Sequence, residues 1–138
     1  MRLQRATRCA LFAVAELAGD PERQVSAAEI AEKYGLSVNH LAKVLRELAR
    51  ARIITSVRGA GGGYTFAANP RRLTLYDIVS RFEELGGAGD GPAEPGAATD
   101  AGRALDRVLT EIDEITVATL KSISLATFLK LSRRQNAD

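Results

Sequence analysis

A glycine-rich run between two short β-prone stretches constrains the fold of this chain more than any other feature. The run, at 56–64, reads SVRGAGGGY; it continues the β-branched stretch at 53–57 and leads into the β-prone stretch at 64–67. Side chains branched at Cβ favour extended backbone, and glycines allow the positive φ angles that a tight reversal needs. The run is therefore predicted to form the tip of a hairpin. A phosphate-binding loop is disfavoured, because no helix and no Lys-Ser/Thr pair follow the glycines.

Two short amphipathic helices are predicted immediately before the hairpin. The first opens at Ser26 with Glu29 three residues later, which is the spacing of a capping box, and its apolar face ends at Gly35. The second opens at Ser37 and extends to about Arg50 with apolar residues at helical spacing. Two helices joined by a short turn with glycine form a helix-turn-helix, although helical hairpins without DNA function use similar turns. The hairpin that follows favours a winged helix-turn-helix.

The rest of the chain is predicted to be helical apart from one loop. An N-terminal helix covers about 7–18, a short helix is capped by Thr74, and residues 86–102 contain Gly, Ala and Pro with a few polar residues. No side chain of that loop could anchor a core, so it is expected to be flexible. The fold class is mainly α with a small β-hairpin wing, divided into a winged helix-turn-helix domain at 1–85, the loop and a C-terminal region at 103–138.

The C-terminal region carries the longest amphipathic pattern in the chain. Residues 103–122 show an apolar stripe at spacings near 3.5, and a last short helix capped by Ser124 is predicted after them. Such a stripe must be buried, either against its own domain or against a second copy of the chain. Its principal members are Leu105, Val108, Leu109, Ile112 and Ile115.

Charge is distributed unevenly along the chain. The net charge is +2, but residues 1–72 hold 12 Lys/Arg against 6 Asp/Glu, while residues 73–138 hold 7 against 11. A basic first half suits an anion-binding module, and the alternative is a chance imbalance on solvated faces. No apolar run approaches the roughly 20 residues that cross a bilayer, and no continuous signal-peptide core is present. A cytoplasmic protein without membrane contact is expected.

Double-stranded DNA is the predicted partner of this basic half. The first turn of the second helix carries groups that bond base edges or phosphates, and Arg58 beside the wing tip is suited to a narrow minor groove. Plain solvation is the alternative for His40 and for Arg58. A second hypothesis makes the winged helix a scaffold and the helix at 103–122 the surface for a protein partner. The predicted DNA contacts are Ser37, Asn39, His40, Lys43, Arg46, Arg58, Gly59 and Gly61.

The sequence has few of the residues that a catalytic or metal-binding site needs. The chain has one His and one Cys, too few for a catalytic triad or a metal-hydrolase site, so neither enzyme activity nor a metal or other cofactor is expected. Cys9 is predicted to be a small buried hydrophobe. The alternative is a redox-sensing thiol, because Arg5 and Arg8 are close in sequence. The adjacent acids Glu83 and Glu84 are predicted to be surface charge.

The order of these motifs resembles the IscR/NsrR/CymR-type (Rrf family) bacterial transcription regulators. The resemblance covers nearly the whole chain and implies a homodimeric winged-helix regulator of transcription, such as a repressor, with 103–122 as its dimerisation helix. A dimer of this kind should read a pseudo-palindromic operator. The segments that carry the resemblance are 1–3, 30–31, 35–37, the second helix that opens at Ser37, the wing motif at 58–64, and 73–78.

The loop at 86–102 departs from the family pattern. Family members that sense through an iron–sulfur cluster carry three cysteines in this loop, and this chain has none there. The resemblance therefore implies a member without the cluster, and it leaves the effector, a small molecule or a protein, open.

Overall fold

The computed structural model describes residues 1–59, 61–85 and 92–136, so Ala60 of the glycine run and residues 86–91 of the predicted loop lie outside it. It confirms the predicted fold class, mainly α with a two-stranded antiparallel wing and a long C-terminal helix. None of the helices in these ranges has both the length and the apolar character of a bilayer span. The elements are α1 Arg5–Gly19, α2 Ala27–Tyr34, α3 Val38–Arg50, β1 Ile54–Val57, β2 Gly63–Phe66, α4 Leu75–Val79, α5 Asp100–Ser122 and α6 Leu125–Asn136.

The hydrophobic core is built around α1. Helices α2, α3, α4 and α6 and strand β2 all contact α1. Small side chains on its inner face let these neighbours approach closely, which suits the dense packing of protein interiors. The almost fully buried residues of this face are Cys9, Ala10, Ala13, Val14 and Leu17.

Side-chain caps begin the short helices where the sequence pattern predicts them. Thr74 and Asp77 form a complete capping box at α4, with each side chain accepting the other residue's backbone N–H. At α2 the Ser26 hydroxyl accepts the N–H of Glu29 at 3.1 Å. The Glu29 carboxylate does not complete that box, because it pairs with Arg23 at 3.0 Å.

The N-terminus of α1 is capped by a residue far away in the sequence. The N–H of Gln4 donates to Oε1 of Glu83 at 2.5 Å, and the hydroxyl of the fully buried Thr7 donates to the same oxygen at 2.8 Å. Negative charge stabilises a helix N-terminus. The prediction of plain surface charge at Glu83 is therefore wrong, since this half-buried side chain ties the segment after α4 to α1.

The C-terminal region consists of an exposed helix and a docked one. Helix α5 begins at Asp100 because Thr99 caps its first turn, so residues 100–102, predicted as loop, are helical. No residue of α5 is buried. Helix α6 returns to the core through Leu125 and Leu129. Although the sequence pattern groups α5 with α6, α6 packs with the winged helix.

The junction between α5 and α6 is held against the loop before α4. The N–H of Leu75 donates to the carbonyl of Ile123 at 2.9 Å, and the N–H of Leu125 donates to that of Leu73 at 2.7 Å. These bonds fix one end of α5, which has 23 residues and is therefore about 34 Å long at the usual helical rise.

Candidate nucleic-acid interface

Helix α3 has one buried face and one polar, exposed face. Asn39, Lys43 and Arg46 are exposed, and their spacing places them along one stripe of the helix. Ser37 precedes the helix, and its hydroxyl accepts the N–H of His40 at 3.4 Å. The opposite face packs into the core through Leu41, Val44, Leu45 and Leu48.

His40 is turned partly towards the protein. The residue is half-buried, and its Nε2 is enclosed without a hydrogen-bond partner in the part of the chain that the structure describes. A base contact requires a free ring edge at the groove. Of the five candidate residues at 37–46, His40 is therefore the least available to DNA, whereas Asn39, Lys43 and Arg46 remain accessible.

The wing is a short hairpin with Arg58 at the base of its tip. Strands β1 and β2 pair antiparallel, with Val57 opposite Gly63. Gly59 and Gly61 have φ angles of +117° and +79°, which residues with a Cβ rarely adopt. Arg58 follows β1 directly and is exposed. The predicted wing residues Arg58, Gly59 and Gly61 therefore lie together at the end of the hairpin that connects β1 to β2.

The wing is anchored to the segment that precedes α2. Val25 and Tyr64 exchange backbone hydrogen bonds of 3.0 and 2.8 Å, and the side-chain amide of Gln24 donates to the carbonyl of Gly61. A Cβ at Gly63 would lie 2.6 Å from the carbonyl oxygen of Val25. Since an isolated two-stranded hairpin is marginally stable in water, these contacts hold the wing on the helix-turn-helix.

The cations of the candidate interface form no ion pair with any residue that the structure describes. Within the described ranges, Lys43, Arg46 and Arg58 have no carboxylate oxygen within 4.0 Å. Arg50, at the end of α3, instead pairs with Glu47 at 3.5 Å. Unpaired cations can neutralise DNA phosphates and release the bound counterions.

Cys9 lies in the core, where its side chain is 1% exposed. Burial raises the pKa of its thiol and outweighs Arg5 and Arg8, whose charges act to lower it. Because the thiolate is the reactive form of cysteine, this environment favours a structural role over redox sensing.

Comparison with known proteins decides the family. A model of the Rrf2 family, described as iron-dependent transcriptional regulator, matches residues 3–131. The chain belongs to the Rrf2 family. The resemblance inferred from the motifs is thus confirmed.

Relatives of this Rrf2 protein carry the names of regulators, not of enzymes. The protein named HTH-type transcriptional regulator BadM of Rhodopseudomonas palustris is 54% identical over 136 residues, which cover 95% of this chain and 83% of the relative. The structure of T. potens IscR has a TM-score of 0.68 at 30% identity, covering 96% of this chain and 88% of that one. CymR, the global cysteine regulator of B. subtilis, has a TM-score of 0.76 at 24% identity, covering 95% and 98%, and shows the fold alone.

The donor residues of this Rrf2 protein do not fit an iron–sulfur cluster. Such clusters are held mainly by cysteine thiolates, about four for each cluster. The chain has one cysteine and one histidine; Cys9 is buried on α1 and His40 lies on α3. Across 1–59, 61–85 and 92–136, no three His, Cys, Asp or Glu side chains are grouped to hold a metal ion.

Sequence reasoning missed the residues that support the wing. Gln24 and Val25 lie in a short connection without regular secondary structure, and no local spacing marks them. Their role follows from contacts with Gly61 and Tyr64, about 40 residues later in the chain.

Proposed function

We propose that this Rrf2 protein is a cytoplasmic, sequence-specific regulator that binds double-stranded DNA as a homodimer at a pseudo-palindromic operator. The observation that carries the proposal is that two basic surfaces, one on α3 and one at the anchored wing, form no ion pair with the described part of the chain. Both occur in a chain of a transcription-regulator family.

In this proposal α3 enters the major groove. The amide of Asn39 suits a bidentate bond to adenine, and Lys43, Arg46 and the Ser37 hydroxyl suit phosphates. Arg58 enters the adjacent minor groove, where narrow A·T tracts attract arginine. Gly59 and Gly61 carry no side chain, so the backbone at these two positions can approach the DNA closely.

A second copy of the chain covers α5 in the proposed dimer. Five apolar side chains of the helix are 48–67% exposed, and contiguous exposed apolar surface marks an interaction site. Two winged helices related by a twofold axis would read half-sites one helical turn, or a multiple of it, apart. The five are Leu105, Val108, Leu109, Ile112 and Ile115.

The proposal also includes the absence of a metal cluster. The regulator works without the family's iron–sulfur cluster, because its donor residues do not fit one.

A protein-interaction module would also use the exposed stripe of α5. A protein-interaction module gives no role to the exposed cations of α3 and the wing, Lys43, Arg46 and Arg58, so DNA binding is the better explanation.

Replacing Arg58 with alanine tests the proposal. Selection from a random DNA pool supplies the operator, and fluorescence anisotropy gives its affinity at several salt concentrations. We expect weaker binding and a slope of log K against log salt that is reduced by about 1, because one phosphate-neutralising cation is lost. Arg133→Ala, which removes an exposed arginine at the end of α6, should leave both quantities unchanged.

Two results would contradict the proposal at different levels. An unchanged salt slope in Arg58→Ala would remove Arg58 from the DNA contacts. Failure of the parent protein to bind random duplex DNA at micromolar concentration and low salt would refute DNA binding itself.

A further inference from the structure

A groove beside the first turns of α1 has no role in the proposed DNA contacts. Its volume is about 610 Å³, within the range typical of small-molecule sites. Most of the lining residues belong to α1 and the segment before it, and Leu36 comes from the turn between α2 and α3. The lining residues are Met1, Arg2, Leu3, Arg5, Arg8, Cys9, Phe12 and Leu36.

The polar part of this groove is strongly positive. Arg2, Arg5 and Arg8 all line it, and none has a carboxylate oxygen within 4.0 Å among the residues that the structure describes. Glu83 reaches this end of α1, but its carboxylate accepts hydrogen bonds from the N–H of Gln4 and the hydroxyl of Thr7. Three guanidinium groups are therefore available to an anion from outside.

The apolar part of the groove is a fixed aromatic wall. The ring of Phe12 stacks on that of Tyr34, with centroids 5.0 Å apart and planes 5° from parallel. The guanidinium of Arg8 lies 5.4 Å from the centroid of the Phe12 ring. The Tyr34 hydroxyl donates to Glu16 at 2.9 Å and so holds the stack in place. Leu3 and Leu36 add further apolar surface.

We propose that this groove binds a small organic phosphate, with the phosphate on Arg2, Arg5 and Arg8 and an apolar group against Phe12 and Leu36. Phosphate fits three arginines better than a carboxylate does, because it carries nearly two negative charges and three acceptor oxygens. A DNA backbone also supplies phosphates, but it has no apolar group to cover the ring of Phe12.

The position of Leu36 connects this groove to the DNA-binding helix. Leu36 directly precedes Ser37, the N-cap of α3, and its N–H donates to the carbonyl of Ala31 at the end of α2. A ligand that contacts Leu36 therefore touches the turn that orients α3. This consequence rests on the proposed function, whereas ligand binding does not.

Titration of the full chain with three probes tests the site. Phenyl phosphate combines both recognised groups, while inorganic phosphate and phenol each carry one. We expect phenyl phosphate to bind about tenfold or more tightly than either fragment, since it gains both the charged and the apolar contacts. Calorimetry gives the affinities, and amide chemical shifts of residues 5–12 and of Leu36 show where the probe binds.

Two double variants show whether the arginines of the groove are needed for phenyl phosphate binding. Arg5→Gln with Arg8→Gln should weaken phenyl phosphate binding about tenfold or more, because charge-assisted bonds are lost. Arg71→Gln with Arg72→Gln removes the same charge from an exposed pair outside the groove and should bind like the parent. Circular dichroism checks that both variants are folded, and calorimetry of the parent needs no DNA.

Two kinds of result would overturn the proposed site, and a third would overturn only the proposed function. Binding that is equal for phenyl phosphate and inorganic phosphate, or that survives the Arg5/Arg8 change, would rule out an amphipathic anion site. Absence of phenyl phosphate binding at millimolar concentration, together with weaker duplex DNA binding by the Arg5/Arg8 variant, would make the groove part of the DNA interface. Phenyl phosphate binding by a chain that binds no DNA would retain the site and refute the proposed function.

Discussion

Arg52 has a left-handed backbone conformation at the point where the chain leaves α3 for the wing. Its φ is +63°, and its N–H donates to the carbonyl of Ala49 at 3.0 Å while that of Ile53 donates to Leu48 at 3.1 Å. These two bonds form the Schellman motif that ends many helices, usually with glycine at the left-handed position. The arginine there strains the turn between the DNA-binding helix and β1.

Replacing Arg52 with glycine should stabilise the fold. Relief of the left-handed strain of about 1–2 kcal/mol exceeds the added entropy of the unfolded chain, about 0.5–1 kcal/mol. Urea denaturation should therefore show a gain of up to about 1 kcal/mol in the free energy of unfolding. Arg52→Ala removes the same charge and keeps the Cβ, so it should show no such gain. Equal stability of Arg52→Gly and Arg52→Ala would show that the backbone at Arg52 is not strained.

A second residue-level feature joins α1 to α2 through one carboxylate. Burial alone would raise the pKa of Glu16, but hydrogen bonds from Lys33 and Tyr34 hold that pKa below its ordinary value. Burial and the hydrogen bond to Glu16 raise the pKa of Tyr34 to about 12. The protonated phenol is thus the form that the native state favours.

Tyr34→Phe should change the stability of the fold at alkaline pH. An unfolded chain releases the tyrosine proton near pH 10, its ordinary pKa, whereas the native protein holds it to about 12. The contribution of Tyr34 is therefore fully present below pH 10 and is lost as pH rises towards 12. Tyr34→Phe should cost about 1 kcal/mol at neutral pH through its lost hydrogen bond and should lose less stability at alkaline pH.

Urea unfolding at a series of pH values measures this difference. Tyr76→Phe, which removes a phenol hydroxyl from α4, is the matched control and should follow the parent protein. An alkaline loss in Tyr34→Phe as large as that of the parent would contradict the assignment.

At the scale of elements, the hairpin could be predicted from sequence and its attachment could not. The glycines and β-branched residues of 53–67 predict two strands and a tip, because these preferences act between neighbours in the chain. Gln24 and Val25 reach the wing from a distant connection. The attachment therefore depends on packing, which local preference does not encode.

Gly63→Ala should loosen the wing from its support. The new Cβ would lie 2.6 Å from the backbone oxygen of Val25, and backbone can yield only by separating the bridge. We expect a loss of about 1–3 kcal/mol in stability, typical of overpacking, with faster hydrogen exchange at the Tyr64 amide. Gly19→Ala, where a Cβ meets no atom within 4 Å, should leave that amide protected. Unchanged exchange in Gly63→Ala would show that the bridge is not tight.

At the scale of the whole molecule, α5 is a long helix whose apolar face is exposed in the isolated chain. Ile112 and Ile115 are 52% and 67% exposed, although their spacing from Leu105 and Val108 is that of a core-facing stripe. The amphipathic pattern was predictable from sequence, and the choice between a fold-back and a second copy was not. The absence of any buried residue in α5 favours the second copy.

Replacing both Ile112 and Ile115 with glutamate should give monomers. Four carboxylates at the dimer interface would repel one another and lose the apolar contact that holds it. Light scattering with sedimentation measures the change in mass. Thr110→Glu with Ala118→Glu adds the same charge to other exposed positions of α5, away from the stripe, and should remain dimeric. A folded Ile112/Ile115 variant that still dimerises would refute the proposed interface.

Local sequence patterns predict the helices, the side-chain caps of α2, α3 and α4, the glycine hairpin and the exposed polar residues of α3. These features depend on residues within about four positions of one another, so spacing and side-chain type reveal them. Tertiary packing makes Glu83 the cap of α1, places Gln24 and Val25 against the wing, returns α6 to the core and adds Leu36 to the groove beside α1. Packing brings together residues from distant parts of the chain. A local sequence pattern contains no information about such contacts.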